Sequence, residues 1–346
     1  MPGIFRFVLA GLVAVSHLSA AGFAEHFGDY AVRAFFILSG LAITAVLNDV
    51  YKFSPAPFVK NRLLRLFPGY LIVCAATGAA ILLFPRETAL FHPRWDTASA
   101  GAPDLLANLA IVPLAFSQPH FRLFEPGWST AVEIILYGVL FAIAARSERN
   151  ARIALAIAVA FHVVAFEAGL PFFYRYFSAA SALLGFSIGA ATYFMLRRGA
   201  IKPDGRLAAT LALVWAGNMA AADTLAPAGY STGVGYYLNT ALAAGVIAFM
   251  PKPPAFLRQI DKTLGDLSYP IFLCQWIAGF TAAMFLPVPE WRGWMLTAAT
   301  APVLLAYACM LAVAQAALVE PARTRIRTSA AGEAEWAPVT ESRCAA

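Results

Sequence analysis

The chain has 346 residues, of which 60% are hydrophobic and only 13% charged, where an ordinary soluble domain carries about 25% charged residues. That is too little charge to clothe a water-soluble surface of this size, so a soluble globular protein is excluded and an all-α, polytopic membrane protein is expected. The net charge of +6 invites a nucleic-acid partner, but the basic residues sit in short clusters between apolar runs and form no single patch, so none is expected.

Ten apolar segments are predicted to cross the bilayer, at residues 4–22, 32–50, 68–85, 128–146, 151–167, 176–196, 207–222, 234–250, 267–287 and 294–319. Most approach the roughly 20 residues that a helix needs to cross the hydrocarbon; the fifth, seventh and eighth are short. The first has the outline of a signal peptide, yet it carries Arg6 and His17, which a discarded segment would not need, so it is expected to be retained. Residues 104–117 are apolar but too short to span and are read as interfacial or re-entrant. Residues 1–320 form one transmembrane domain, and 321–346, polar and Ala-rich, are expected to be a mobile cytoplasmic tail. Cys74, Cys274 and Cys309 lie in apolar runs and Cys344 in the tail; no spacing fits CxxC or a metal site, so small buried hydrophobes are expected and no metal.

Orientation follows from charge. With the N-terminus in the cytoplasm, 19 of the 25 Lys and Arg fall on the inner side, and Arg33, Arg86, Arg94, Arg122, Arg175 and Arg292 fall outside. Every inner loop is enriched, which the positive-inside rule requires. An even number of spans returns the C-terminus to the cytoplasm.

Ionisable groups within spans are costly, and their default reading is functional. Arg6 and His17 share the first span, eleven residues and about 16 Å apart, near one face. Glu133 lies about 8 Å below Trp128 on the fourth span, at a depth close to that of His17, with Tyr137 one turn deeper on the same face. A carboxylate and an imidazole at one depth are expected to pair, the carboxylate supporting a protonated His17; a structural ion pair is the alternative. Lys60, Arg62 and Arg65 cluster on the inner side, and the i, i+3 pair Arg62 and Arg65 suits phosphate binding, unless it is ordinary inner charge or a contact for anionic lipid. Ser268, Tyr269 and Gln275, with Trp276, either line a cavity in the ninth span or join helices.

The same residues sit in words that resemble the acyltransferase-3 family of integral-membrane O-acyltransferases. Phe5-Arg6-Phe7 through Ser16-His17-Leu18 resembles its opening Arg-x10-His segment. Phe35-Phe36-Ile37-Leu38-Ser39-Gly40 is similar to its FFxLSG word, and Arg62-Leu63-Leu64-Arg65-Leu66-Phe67-Pro68 to its RxxRxxP word. Trp128-Ser129-Thr130-Ala131-Val132-Glu133 with Tyr137 resembles WSLxxExxxY. Leu264-Gly265-Asp266-Leu267-Ser268-Tyr269 resembles LGxxSY, and Leu318-Val319-Glu320-Pro321 with Arg323 resembles the closing VExP and its following Arg. Six words stand in family order from residue 6 to residue 323.

The resemblance implies that an acyl group, often acetyl, passes from cytoplasmic acyl-coenzyme A to a hydroxyl of a cell-envelope carbohydrate or small molecule. Acyl-coenzyme A is then a donor substrate, and no permanently bound cofactor is implied. The family's essential His maps onto His17, its first Arg onto Arg6, its acidic residue onto Glu133 and its RxxR onto Arg62 and Arg65. Ser39, Trp128, Tyr137, Ser268, Tyr269 and Gln275 are expected to line the cavity, with Lys60 beside the donor phosphates. Two departures stand out: Gln275-Trp276 occupies a place where members often have His-Trp, and Arg33 precedes the FF pair where an acidic residue is common. The competing class is a transporter or flippase, since intramembrane Arg, His and Glu also mark substrate and proton paths, but no paired halves are visible.

Overall fold

A computed structural model describes residues 3–19, 24–117, 119–224, 229–288 and 291–336; residues 20–22 of the first predicted span, and the tail from residue 337 with Cys344, lie outside the described residues. The helices are α1 (Gly3–Leu18), α2 (Phe27–Val46, continuing as a π turn to Tyr51), α3 (Pro55–Leu83), the short α4 (Pro85–Phe91) and α5 (Ala102–Ala110), and α6 (Gly127–Val139, continuing as a π turn to Ala144). They continue as α7 (Glu148–Glu167), the short α8 (Phe172–Tyr176), α9 (Ala179–Arg197), α10 (Gly205–Thr224), α11 (Val234–Phe249), α12 (Arg258–Ala283), α13 (Trp294–Leu318) and α14 (Glu320–Trp336). There is no strand among the described residues.

Each of the ten predicted segments falls on a helix, but among the described residues six helices are long and apolar enough to cross a bilayer: α2, α3, α6, α7, α13, and α9 with α8 before it. α1 and α11 are apolar but have 16 residues each, about 24 Å at 1.5 Å per residue and short of about 30 Å of hydrocarbon. The first half of α12 carries Arg258, Asp261, Lys262 and Asp266, so only its second half is continuously apolar. α2 is mostly buried, whereas α7 and α13 expose most of their length, with Val159, Val163 and Val164 on α7 and Met310, Val313 and Leu318 on α13 open to the surroundings. Apolar helices exposed in this way belong in a membrane, where lipid covers them.

Starts and crossings follow from the sequence. Pro55 occupies the first turn of α3, where no backbone donor is needed. Ser147 and Ser178 cap α7 and α9 by accepting from the Asn150 and Ser181 amides. Glycines let backbones meet. A Cβ on Gly40 would lie 2.7 Å from Phe186 Cα, and one on Gly265 would lie 2.8 Å from Gly3 Cα, so α2 crosses α9, and α1 crosses α12, at backbone contact. α1, α3 and α12 run parallel: Ile4, Arg6 and His17 of α1 meet Asp261, Ser268 and Gln275 of α12 in that order, and Leu66 and Gly69 of α3 meet Tyr269 and Leu273. α2 runs the opposite way, with Gly28 at its start against Ser16 near the end of α1, and α6 runs with α2, Phe36 against Trp128 and Ser39 against Glu133. The bundle therefore has a near end, where α1, α3 and α12 begin, and a far end, where they finish.

The segment at 104–117, expected to be interfacial or re-entrant and not to span, forms only short helical pieces. α5 spans nine residues and breaks at Ile111 (φ 63°), a strained position for a β-branched residue. Asn108 holds the return, donating to Phe121 O and accepting from the Leu123 amide. Beyond residue 320, where a mobile tail is expected, the described residues form α14. Asn61 Nδ2, fully buried in α3, donates to Arg323 O at 3.1 Å, and Arg323 and Arg327 both pair with Glu320.

Candidate active site

The five helices α1, α2, α3, α6 and α12 enclose a cavity of about 140 Å³, lined by Arg6, Ser39, Arg65, Thr130, Glu133, Ser268 and Tyr269 among aromatic and aliphatic side chains. Arg6 reaches it from α1, and its Nη2 donates to Ser268 Oγ at 2.9 Å; that hydroxyl in turn donates to Gly265 O at 2.7 Å. The serine oxygen thus accepts from the guanidinium while its own proton is committed to Gly265 O. Across the cavity, Glu133 Oε1 accepts from Ser39 Oγ at 2.7 Å and from Tyr137 OH, one turn along the same helix. Tyr269 OH donates to Leu66 O at 3.0 Å, which ties α12 to α3 beside Arg65. Two guanidiniums and one carboxylate therefore face a single cavity in an apolar bundle.

His17 and Glu133 do not pair, contrary to the sequence expectation. His17 Nδ1 lies 2.9 Å from Gln275 Oε1, and Glu133 is held by Ser39 and Tyr137. Equal depth was the basis for pairing, but α1 packs on α12 and α2 while α6 packs on α2 and α9, so the two side chains face different neighbours. His17 does not line the cavity. Its partner Gln275 stands one turn beyond Phe272, the last of the three cavity residues on α12, and the His17 ring stacks on Trp276 at 5.4 Å and 30°.

Three residues expected to line the cavity lie elsewhere. Trp128 packs on Tyr176 and Phe177 at centroid distances of 5.2 and 4.6 Å, because its ring turns toward α8 rather than inward. Gln275 is fully buried against His17. Tyr137 lines an adjacent apolar groove of about 200 Å³ between α3 and α6, with Phe58, Leu63 and Arg62. Arg62 and Arg65 consequently open onto different spaces, although Leu66 borders both. Arg62 Nη2 donates to Asn61 Oδ1 at 3.2 Å. Lys60 is exposed on α3 and borders neither space. Arg323 joins this end of the bundle from α14; burial, with Arg65 beside it, draws its pKa down to about 10. A buried guanidinium crowded by like charge favours an anion nearby.

Sequence reasoning missed Thr130 and Ser129, which line the cavity although they stand inside the WSTAVE word. It also missed a far-end cluster around Trp276. His92 meets that indole edge-on at 4.4 Å, and the Arg292 guanidinium lies 5.4 Å from its centre. Arg292 also donates to Phe91 O and Trp291 O, each at 2.6 Å. Burial, then the Arg292 and Arg94 charges, push the His92 imidazole down to about 3. The only signal in the sequence was an outer Arg between two Trp residues.

Exposed apolar helices around a cavity lined by two guanidiniums and a carboxylate define a helical membrane protein with charged groups inside its bundle. The acyltransferase domain family matches residues 3–318 of the chain. The chain belongs to that family and is an acyltransferase. No curated protein and no solved structure matches it.

Proposed function

We propose that the chain is an O-acyltransferase of the cytoplasmic membrane, with ten spans and both termini in the cytoplasm. It moves an acyl group, acetyl by default, from cytoplasmic acyl-coenzyme A to a hydroxyl of a cell-envelope or exported carbohydrate. The observation that carries this reading is the cavity shared by Arg6, Arg65, Ser39 and Glu133, which extends from the level of the near-end arginines to Phe272, one turn short of Gln275, the partner of His17. Arg62 and Arg65, with Arg323 nearby, suit the donor's phosphates at the near end. The pantetheine arm then runs along the cavity past Arg6 and Glu133 and presents the thioester toward His17.

In that pose His17 accepts the proton of the acceptor hydroxyl as its oxygen attacks the thioester carbon. Arg6, fixed by Ser268 two turns before Gln275 on α12, lies short of the thioester and positions the donor by donating to a carbonyl of the pantetheine arm. The carbon–sulfur bond breaks, His17 returns the proton to sulfur, and the products are an ester and coenzyme A. Glu133 supplies a counter-charge to Arg6 and Arg65 across the cavity rather than support for His17.

Purified protein mixed with labelled acyl-coenzyme A and an envelope glycan should release coenzyme A and label the glycan. His17→Ala should remove that activity, with a loss on the order of 10²–10⁴-fold, while insertion stays normal. Equal labelling by wild type and His17→Ala would make His17 structural. A transporter would move substrate and give no acylated product. A topology reporter fused after Val319 should be active on the cytoplasmic side, and activity only outside the cell would overturn the orientation.

A further inference from the structure

Gln275 has a position that the reaction above leaves unexplained. Its side chain is fully buried, and its orientation is determined by its partners. Nε2, an obligate donor, lies 2.9 Å from Phe272 O, a carbonyl that can only accept. Oε1 is therefore the atom that faces His17, and it lies 2.9 Å from Nδ1. An amide oxygen cannot donate, so Nδ1 must carry the proton of this bond. A neutral imidazole has one N–H, so the lone pair resides on Nε2. Trp276, the next residue on α12, stacks on the same ring and fixes its plane.

We propose that Gln275 is a positioning residue that holds neutral His17 as the Nδ1–H tautomer, leaving Nε2 as the basic nitrogen that meets the acceptor hydroxyl. The proposal rests on the reading of His17 as the base, and it assigns a task to the amide standing where a histidine is often found. The requirement is for an acceptor at this point, not for an amide. The carbonyl of Phe272, whose side chain lines the cavity, anchors the amide, so the tautomer is coupled to the geometry at the cavity's far end.

The test uses the full chain in nanodiscs with ¹⁵N-labelled histidine. The His17 signals are assigned by their loss in His17→Asn, whose activity is measured alongside. Wild type should show a protonated Nδ1 and an unprotonated Nε2. Gln275→Met, of similar length and without the oxygen, should scramble this pattern and lower kcat by on the order of 10- to 100-fold, part of what a general base contributes, with KM for acyl-coenzyme A nearly unchanged. Gln275→Glu restores an acceptor, so it should retain the Nδ1–H pattern and recover most of the turnover. A wild-type Nε2–H tautomer, an unchanged tautomer in Gln275→Met, or a scrambled tautomer with normal kcat would each overturn the proposal. An active His17→Asn would instead overturn the assignment of His17 as base, and the ¹⁵N pattern would still report whether Gln275 sets the tautomer.

Discussion

Arg6 and Ser268 are joined by a 2.9 Å hydrogen bond in which the guanidinium donates to a hydroxyl whose proton is held by Gly265 O. The bond joins the α1 and α12 stripes that cross at Gly3 and Gly265, so the positive charge is aimed by a backbone crossing as well as by a side chain. Ser268→Ala keeps the crossing and removes the acceptor. A hydrogen bond to a charged group is worth about 1.5–3 kcal/mol, and about 1.4 kcal/mol is a factor of ten. The substitution should therefore lower kcat/KM by roughly ten- to a hundredfold without a loss of abundance. Steady-state assays at matched protein levels check it, and an unchanged kcat/KM would mean that Arg6 is held without Ser268.

Glu133 accepts from Ser39 and Tyr137, and the two single substitutions at this position separate its charge from its structure. Glu133→Gln retains an acceptor for both hydroxyls and should fold normally while turning over more slowly, though less impaired than His17→Ala. Glu133→Ala leaves both hydroxyls without their acceptor. It should destabilise the protein by about 1–3 kcal/mol, read as a lower melting temperature in detergent. Identical melting of the two variants would show that the hydrogen bonds contribute little.

The near-end basic residues should differ in effect, although they fall within six positions of sequence. Arg65 faces the cavity, Arg62 faces the neighbouring groove and Lys60 is exposed. Arg65→Ala should raise the KM for acyl-coenzyme A by about tenfold or more, as loss of a charge-assisted contact does. Lys60→Ala should change it less than threefold, as expected for a solvent-screened charge. Donor titrations of both variants decide this. Equal effects would point to a diffuse inner charge and not to a donor site.

His92 gives the stability a pH dependence. Its imidazole sits at about 3, lowered first by burial and then by Arg292 and Arg94, against an ordinary value of about 6.5. The unfolded chain therefore binds a proton that the folded chain refuses. The stability linked to His92 is fully present above pH of about 6.5 and is lost progressively as pH falls from there toward 3. Melting temperature in detergent should decline over that range, and His92→Gln should flatten the decline. A His92→Gln profile parallel to wild type would assign the acid sensitivity to other groups.

Much was legible in the sequence because it depends on composition along one helix. Each of the ten predicted apolar runs falls on a helix, and among the described residues six helices are long and apolar enough to span. Arg6, Glu133, Ser268 and Tyr269 stood out as polar groups in apolar spans, Arg65 as half of an i, i+3 basic pair and Ser39 by its place in the FFxLSG word, and all six line one cavity. The partners of those residues were not legible. Rise per residue gives the depth of a side chain, so His17 and Glu133 were placed at one level. Which helix a side chain meets depends on which helices are neighbours. Backbone contacts at glycines set that adjacency, with Gly265 bringing α12 against α1 and Gly40 bringing α9 against α2.

The sequence by itself determined the solvent of this protein, its helical class, its family and most of the polar groups of its site, because each is written in the residue types along single segments. Only the tertiary structure decided that His17 belongs to Gln275 and Glu133 to Ser39 and Tyr137, that Trp128 turns away from the cavity and that α14 docks on α3. Depth in a bilayer is a one-dimensional property that a sequence carries; pairing across helices requires the azimuth and neighbours of each helix, which arise only when the bundle packs.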